Sequence, residues 1–143
     1  MSEPLRFEAI EIGDELPEHF PDVRLETIRR FAESSGVGRV GRFTDHEKAR
    51  KEGLPGAIVP GVMSQGILAA MIHRWAPDAK LRRIDTVFRS PILADSKAVC
   101  RGVVTATHPD TRFIELDLVI LNEAGETGVL GTAFVELPTD TSR

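Results

Sequence analysis

Cysteine is nearly absent from this chain of 143 residues, because Cys100 is the only one. A single thiol cannot form an internal disulfide or a thiolate zinc cluster. A disulfide-stabilised scaffold is therefore excluded, and a reducing, cytoplasmic setting is expected. No apolar run is long enough to span a bilayer, and the first residues lack the apolar segment of a secretory signal. We therefore predict neither a membrane protein nor an exported one.

A large excess of charge of either sign is also absent. Lys and Arg together number 18 and Asp and Glu 22, which gives a formal net charge of -4. The basic residues are spread along the chain, so a surface for nucleic acid or an anionic membrane is not predicted. Hydrophobic residues make up 41% and charged residues 28%, which is typical of a globular protein. At this length we expect a single domain over residues 1–143, with a loose tail after Leu137.

A nucleotide-binding pattern occurs once, and its surroundings argue against that function. The segment Gly36-Val-Gly-Arg-Val-Gly41 has the Gly-x-Gly-x-x-Gly spacing. In dinucleotide-binding proteins this pattern follows a strand and opens a helix within a βαβ unit. Here it follows a predicted helix and leads into a loop. We therefore predict no dinucleotide cofactor, and no other motif indicates a cofactor or a metal.

The first half of the chain has the pattern of helices and loops. One helical face carries three apolar residues: Ile28, Phe31 and Ala32. Gly36 is suited to end that helix, and a loop over residues 36–43 follows. Thr44 and Glu47 have the capping-box spacing, which predicts a short helix that begins at Thr44 and that Gly53 ends.

A long apolar helix is predicted over residues 62–75, and Pro77 ends it. Its apolar residues occupy most of the circumference, so we expect the helix to be buried rather than to lie on the surface. Four β-rich segments follow, at residues 81–90, 97–107, 112–121 and 127–137. Gly125 lies where a hairpin loop between the last two needs it. This order of elements predicts an α+β fold, with an antiparallel sheet wrapped around the apolar helix.

Three further motifs link the chain to a known family. The segments are Phe88-Arg-Ser-Pro-Ile-Leu-Ala-Asp95, Asn122-Glu-Ala-Gly125 and Ile58-Val-Pro-Gly-Val-Met63. The first is similar to a strand pattern of Phe, Arg, a small residue, Pro and an aliphatic residue that ends in Gly-Asp. The second is similar to a hairpin with the sequence Asn-Gln-x-Gly. The third is similar to a helix start with the sequence Ile-Ala-His-Gly-Met. In this order and spacing, from about Ile12 to Leu137, they resemble the MaoC-like hydratase and dehydratase family. The resemblance implies the hot-dog fold.

The resemblance also implies chemistry on acyl thioesters of coenzyme A or acyl-carrier protein. Family members typically add water to a trans-2-enoyl thioester, or remove it from the 3-hydroxy compound, with an Asp and a His in a segment like Ser-Gly-Asp-x-Asn-Pro-x-His-x-Asp. Alignment on Asp45 and Ala49 places Phe43 at the His, and Val37 or Gly38 at the Asp. None of these three side chains can transfer a proton, so the usual dyad is missing.

The residues for thioester binding are retained in part. Pro60 replaces the His of the family's helix entry. The backbone N–H of Gly61, at the start of the buried helix, can polarise a carbonyl, and Ser64 can hydrogen-bond in the same pocket. Arg39 and Arg42 flank the loop at the pocket mouth and are candidates for binding phosphates. Solvated loop arginines are the simpler interpretation.

The missing dyad leads to a hypothesis about partners. Some family members work as unequal pairs in which one subunit lacks the dyad, and hot-dog domains commonly form dimers with a continuous sheet. The resemblance therefore implies a non-catalytic subunit that shapes the acyl pocket for a competent paralogue in a heteromer. A homodimer is the alternative assembly.

Three alternative functions stay open. Asp45 and His46 are the titratable pair closest to the missing dyad and are candidates for a displaced acid and base, although a carboxylate at a helix start usually needs no such role. A hot-dog thioesterase would need a carboxylate to activate water, and Glu33 or Asp45 would supply it. An acyl-thioester-binding protein without turnover would need neither. Cys100, on a predicted strand, is interpreted as a core residue rather than a nucleophile.

Overall fold

The computed structural model describes residues 5–37 and 39–139. A short 3₁₀ helix, Phe7–Ala9, precedes four α-helices and then four strands. The helices are α1 Leu25–Ser35, α2 Gly41–Thr44, α3 His46–Lys51 and α4 Gly61–Trp75. The strands are β1 Lys80–Phe88, β2 Val99–His108, β3 Phe113–Leu121 and β4 Thr127–Glu136. The predicted order of helices and then strands is confirmed.

The four strands form one antiparallel sheet in the order β1-β4-β3-β2. The alternation of apolar residues that favours a strand with one buried face is clearest in β3. Every second residue of this strand is buried: Ile114, Leu116, Leu118 and Ile120. A period of two places these side chains on one face of the sheet. The hairpin from β3 to β4 uses Gly125 at a φ of 83°, in the left-handed region that favours glycine.

Helix α4 packs across the buried face of the sheet. Its own buried residues are Met63, Ser64, Leu68, Met71 and Ile72. Gly131 of β4 and Gly102 of β2 lie where Leu68 and Met71 cross the sheet, and a Cβ on either glycine would be 3.4 Å from the crossing side chain, an ordinary packing distance. Gln65 of α4 donates a 2.8 Å hydrogen bond to Thr86 Oγ1 of β1. An antiparallel sheet wrapped around a long helix is therefore confirmed.

Burial of α4 is incomplete in the single chain. Val62 is 49% exposed, and Gly66, Ala70 and His73 are exposed on the same side of the helix. The sheet also has one open edge. Residues 13–19 lie along β2, with Leu16 N–H 2.9 Å from Gly102 O, but the described residues place no strand on the outer side of β1.

The segment before α3 differs from the prediction. Residues 41–44 form the one-turn helix α2 rather than a loop, and Thr44 is its last residue rather than the cap of the next helix. The cap is Asp45, whose side chain accepts a 3.1 Å hydrogen bond from Lys48 N–H. Because Asp and Thr are both good N-caps, the spacing alone did not separate them. Gly53, at a φ of 92°, does end this region of helix.

The end of the described chain is packed rather than loose. Pro138 O accepts a 2.8 Å hydrogen bond from Phe7 N–H, and both Leu137 and Thr139 are buried. Residues 138 and 139 therefore pack against the rest of the described chain, and the loose tail stays a prediction for the residues after them. Residues 140–143 lie outside the described part.

We predict that Leu68→Ala, at the centre of the contact between α4 and the sheet, lowers the free energy of unfolding by about 3 kcal/mol. Leu68 is completely buried, so the substitution leaves a cavity. Leu130→Ala is the matched control, because Leu130 lies on the sheet and is 38% exposed. Urea denaturation of both variants measures the difference. Equal losses would contradict the described packing.

Candidate functional site

A largely apolar cleft of about 320 Å³ lies at the N-terminal end of α4. It is lined by Phe43, Ile58, Val59, Gly61, Ser64, Phe88, Arg89, Ser90, Pro91, Ile92 and Val129. The lining comes from α2, the approach to α4, the end of β1 with the segment that follows, and the start of β4. Three residues singled out in the sequence, Phe43, Gly61 and Ser64, are thus brought together.

The N-terminus of α4 points free N–H groups towards this cleft. Pro60 is the N-cap, in an extended conformation, and supplies no side-chain cap. The first helical hydrogen bond is donated by Ser64 N–H to Pro60 O, at 3.1 Å. The N–H groups of the three residues before Ser64 therefore have no acceptor within the helix, as at any helix start. The helix dipole adds partial positive charge at this end.

Ser64 places a hydroxyl in the first turn of α4. The residue is 2% exposed and lines the cleft. Its hydroxyl takes part in none of the hydrogen bonds between described residues. No buried polar side-chain atom of the described residues lacks a partner, so the Ser64 oxygen reaches the surface of the cleft, where a ligand can bond to it.

Phe88 covers the entry to the helix. A Cβ at Gly61 would lie 2.9 Å from Phe88 Cζ, so the ring approaches this closely only because residue 61 is glycine. Phe88 is nevertheless 54% exposed, at the end of the open strand β1. The ring therefore lies where the cleft and the open edge of the sheet meet.

None of the described residues that line the cleft is an Asp, Glu or His that could transfer a proton. Phe43, at the aligned position of the family's His, lines it, whereas Val37 is exposed in the loop after α1. Gly38, the other candidate for the Asp position, lies outside the described residues. Arg89 is the only charged residue in the lining, and an arginine stays protonated in proteins.

His46 lies beside the cleft rather than in it. Its Nε2 is 2.9 Å from Asp95 Oδ2, and its Nδ1 accepts a 3.0 Å hydrogen bond from Ala57 N–H. Both ring nitrogens are occupied by protein partners. This arrangement differs from a base that is free to act on a ligand.

Asp45 and Glu33 lie in a second cleft, of about 290 Å³. It is lined by Arg29, Ala32, Glu33, Arg39, Thr44, Asp45 and Lys48. The hydrogen bond from Lys48 N–H holds the pKa of Asp45 below its ordinary value. Arg42 belongs to neither lining and forms an ion pair with Glu52, with a nitrogen-to-oxygen distance of 2.9 Å. The two carboxylates considered for a thioesterase are therefore separated from Gly61 and Ser64.

Several lining residues were not assigned to the site from the sequence. Phe88, Arg89, Ser90, Pro91 and Ile92 all belong to the motif that carried the resemblance, and that motif was the available signal. The link between His46 and Asp95 had no such signal, because a spacing of 49 residues follows no helical or strand period.

The described residues give no indication of a reactive thiol, a metal site or a membrane-spanning helix. Burial raises the pKa of the Cys100 thiol to about 12, so this core residue carries no thiolate at neutral pH. Within residues 5–37 and 39–139, no group of three His, Cys, Asp or Glu side chains is placed to hold a metal ion. In the same residues no helix has the length and apolar character needed to cross a membrane.

We predict that the capping role of Asp45 appears in the pH dependence of stability. Because its pKa is lowered in the folded chain, its stabilisation is present above the unfolded-state pKa and is lost as pH falls through the lowered value. Asp45→Asn should therefore reduce the difference in melting temperature between about pH 7 and about pH 3. Asp110→Asn, in an exposed turn, is the control. An unchanged difference in Asp45→Asn would exclude the cap as its source.

Comparison with known proteins identifies solved structures that have a similar architecture. No protein-family model matches the chain, and no curated protein matches it. Among solved structures, it is similar to the (R)-hydratase from A. caviae involved in PHA biosynthesis, with a TM-score of 0.85 and 19% identity over 92% of this chain and 99% of that one. The MaoC-like dehydratase from Rhodospirillum rubrum has a TM-score of 0.81 and 19% identity, over 96% and 99% of the two chains.

A third similar structure is a complex. A chain of the ChsH1-ChsH2 complex from Mycobacterium tuberculosis has a TM-score of 0.81 and 22% identity, over 89% of this chain and 98% of that one. The three structures cover nearly the whole described chain at low identity. The chain therefore has the hot-dog fold, in the form found in MaoC-like dehydratases and (R)-hydratases.

Proposed function

We propose that this chain is a hot-dog protein of acyl-thioester metabolism, of the enoyl-thioester hydratase and 3-hydroxyacyl dehydratase class. It binds an acyl thioester of coenzyme A or acyl-carrier protein at the N-terminus of α4 and acts as the non-catalytic subunit of a heteromer. The supporting observation is the composition of one cleft. An uncapped helix start and the Ser64 hydroxyl lie together there, and no Asp, Glu or His is among the described residues that line it.

Binding follows from the groups that line the cleft. The thioester oxygen would accept a hydrogen bond from the Gly61 N–H, where the helix dipole favours negative charge. Ser64 would donate a second hydrogen bond, since its hydroxyl has no other partner in the described chain. The acyl chain would lie against the apolar side chains, among them Phe43, Ile58 and Val129.

Hydration needs more than binding. One group must remove a proton from water as the oxygen attacks C3, and another must deliver a proton to C2. Phe43 and Arg89 can do neither, and His46 is held by Asp95 and Ala57. The site supports the part of the reaction that depends on polarising the thioester, while a partner subunit would supply proton transfer.

The surface for that partner is the open side of the fold. The outer edge of β1 carries backbone groups available for strand addition, and the exposed face of α4 with Val62 adds apolar area beside it. Phe88 belongs to this surface and also contacts Gly61. A partner that covers Phe88 would therefore also shape the cleft. The ChsH1-ChsH2 structure shows that this fold occurs in a complex.

We expect the purified chain alone to hydrate no member of a panel of enoyl-CoA thioesters, measured by loss of the conjugated enone absorbance. Co-expression with hot-dog proteins encoded nearby should yield a heteromer that turns the panel over. Turnover by the chain alone would contradict the proposal and direct mutagenesis to His46, Asp45 and Glu33.

Assembly provides a separate check of the partner. A stable homodimer that pairs with no other hot-dog chain would contradict the heteromer. Release of free thiol from acyl-CoA, abolished by Asp45→Asn or Glu33→Gln, would replace the proposal with a thioesterase. Thermal stabilisation by acyl-CoA without any product or partner would indicate a binding protein.

A further inference from the structure

The hydrogen bonds of His46 define which tautomer of the neutral ring fits its surroundings. Because Nδ1 accepts from Ala57 N–H, it carries no proton, and the proton of the neutral ring is on Nε2 and is donated to Asp95. Ala57 is completely buried, so its N–H cannot turn to water instead. His46 can bind a second proton only if its bond to Ala57 is broken.

Ala57 is connected directly to the cleft. The next residue, Ile58, donates its N–H to a carbonyl of α2 at 3.0 Å, and Val59 N–H donates to Ile92 O at 2.8 Å. Ile58, Val59 and Ile92 all line the cleft. Gly61 opens α4 two residues after Val59. A displacement of Ala57 would therefore move the cleft wall and the start of α4 together.

Asp95 extends this link to α1. Its Oδ1 accepts a 2.9 Å hydrogen bond from the N–H of Leu25, the first residue of a helix that has no side-chain cap at Arg24. Asp95 N–H donates to Val23 O at 2.9 Å, and its φ of 61° is left-handed, a conformation that is uncommon for non-glycine residues but that Asp adopts more readily than most. The hydrogen bond with His46 is the main cause that lowers the pKa of Asp95.

The space behind the His46 ring is restricted as well. A Cβ at Gly56 would stand 2.9 Å from Nδ1, so the ring fits against this loop only because residue 56 is glycine. The ring is 29% exposed, which leaves it accessible to protons from solvent. It therefore has a fixed position and a route for protonation.

We infer that His46 and Asp95 form a pH-sensitive brace, which holds the cleft in its binding geometry while His46 is neutral and releases residues 57–59 when His46 is protonated. His46 is thus a positioning residue rather than a catalytic one. The brace ties together α1, α3, the approach to α4 and the connection from β1 to β2. The inference rests on the proposed function only where it concerns ligand affinity.

The charged groups around the brace have defined positions. Asp95 faces Nε2. From the α1 side, Arg24 acts on Asp95 and is itself paired with Asp22 at 2.8 Å. On α3, Asp45 is engaged as the N-cap, and Glu47 pairs with Arg50 at 3.2 Å. Asp95 is therefore the one charged group in direct contact with the ring among the described residues.

The first test follows the protein itself by NMR. At about pH 8, long-range ¹⁵N correlations should show the His46 proton on Nε2, and further spectra are recorded as the pH is lowered to about 5.5. The backbone amides of Ala57, Ile58 and Gly61 should shift with the same midpoint as the His46 ring. A proton on Nδ1 of the neutral ring, or amides that do not follow the ring, would overturn the brace.

The second test uses butyryl-CoA, a saturated thioester that cannot be hydrated, in calorimetric titrations at both pH values. Wild-type affinity should fall by about tenfold at the lower pH, as expected for positioning that depends on one hydrogen bond. His46→Asn places an amide oxygen near Nδ1 that can accept from Ala57 and does not titrate, so its affinity should be nearly independent of pH. His108→Asn is the control, since His108 pairs with Glu115 on the sheet, and should keep the wild-type dependence.

The two tests separate the brace from the proposed function. A His46→Asn variant with the wild-type pH dependence of affinity would overturn the brace. Failure of butyryl-CoA to bind at either pH, with Ala57 and Gly61 still following the His46 titration, would support the brace and reject the proposed ligand.

Discussion

The packing of α4 against the sheet is the interaction on which the rest of this structure depends. Leu68 and Ile72 are completely buried there, and Gly131 of β4 lies beneath Leu68 where the helix crosses the sheet. This contact fixes the direction of α4 and so the place where its first N–H groups emerge. Those groups have no side-chain cap, and the helix is anchored elsewhere by apolar burial. The core therefore stabilises a helix whose first N–H groups face the cleft without a side-chain cap.

The residues around the start of α4 fall into two groups, those that line the cleft and those that hold its backbone in place. Gly61 and Ser64 supply donors in the cleft, while Phe43 stands where the resemblance would place a histidine. His46 is close in sequence to Phe43, but its hydrogen bonds serve to hold the backbone. The cleft thus offers hydrogen-bond donors, and its lining among the described residues contains no Asp, Glu or His. The proposed hydratase subunit that depends on its neighbour is consistent with both properties.

Local patterns predicted the elements, and contacts between distant segments decided the site. The strands and α4 were predictable because alternation and apolar periodicity reflect burial directly. The N-cap of α3 was not predictable in the same way, because Thr44 and Asp45 are neighbours that cap helices about equally well. Asp45 is the cap because α2 extends to Thr44. The exposure of Val62 was not predicted either, because an apolar residue on a helix can lie on the surface of the single chain as well as in its core. The pairing of His46 with Asp95 depends on the folded chain alone.

Binding of a saturated acyl-CoA by wild-type protein and by Ser64→Ala, measured by calorimetry, tests the central claim most directly. Our account predicts that the wild type binds and that Ser64→Ala binds about five- to tenfold more weakly, the effect of one hydrogen bond. Ser96→Ala is the matched control, because its hydroxyl is paired with Leu93 O outside the cleft lining. Absence of binding by the wild type, or equal affinity in Ser64→Ala, would contradict a thioester site at the start of α4.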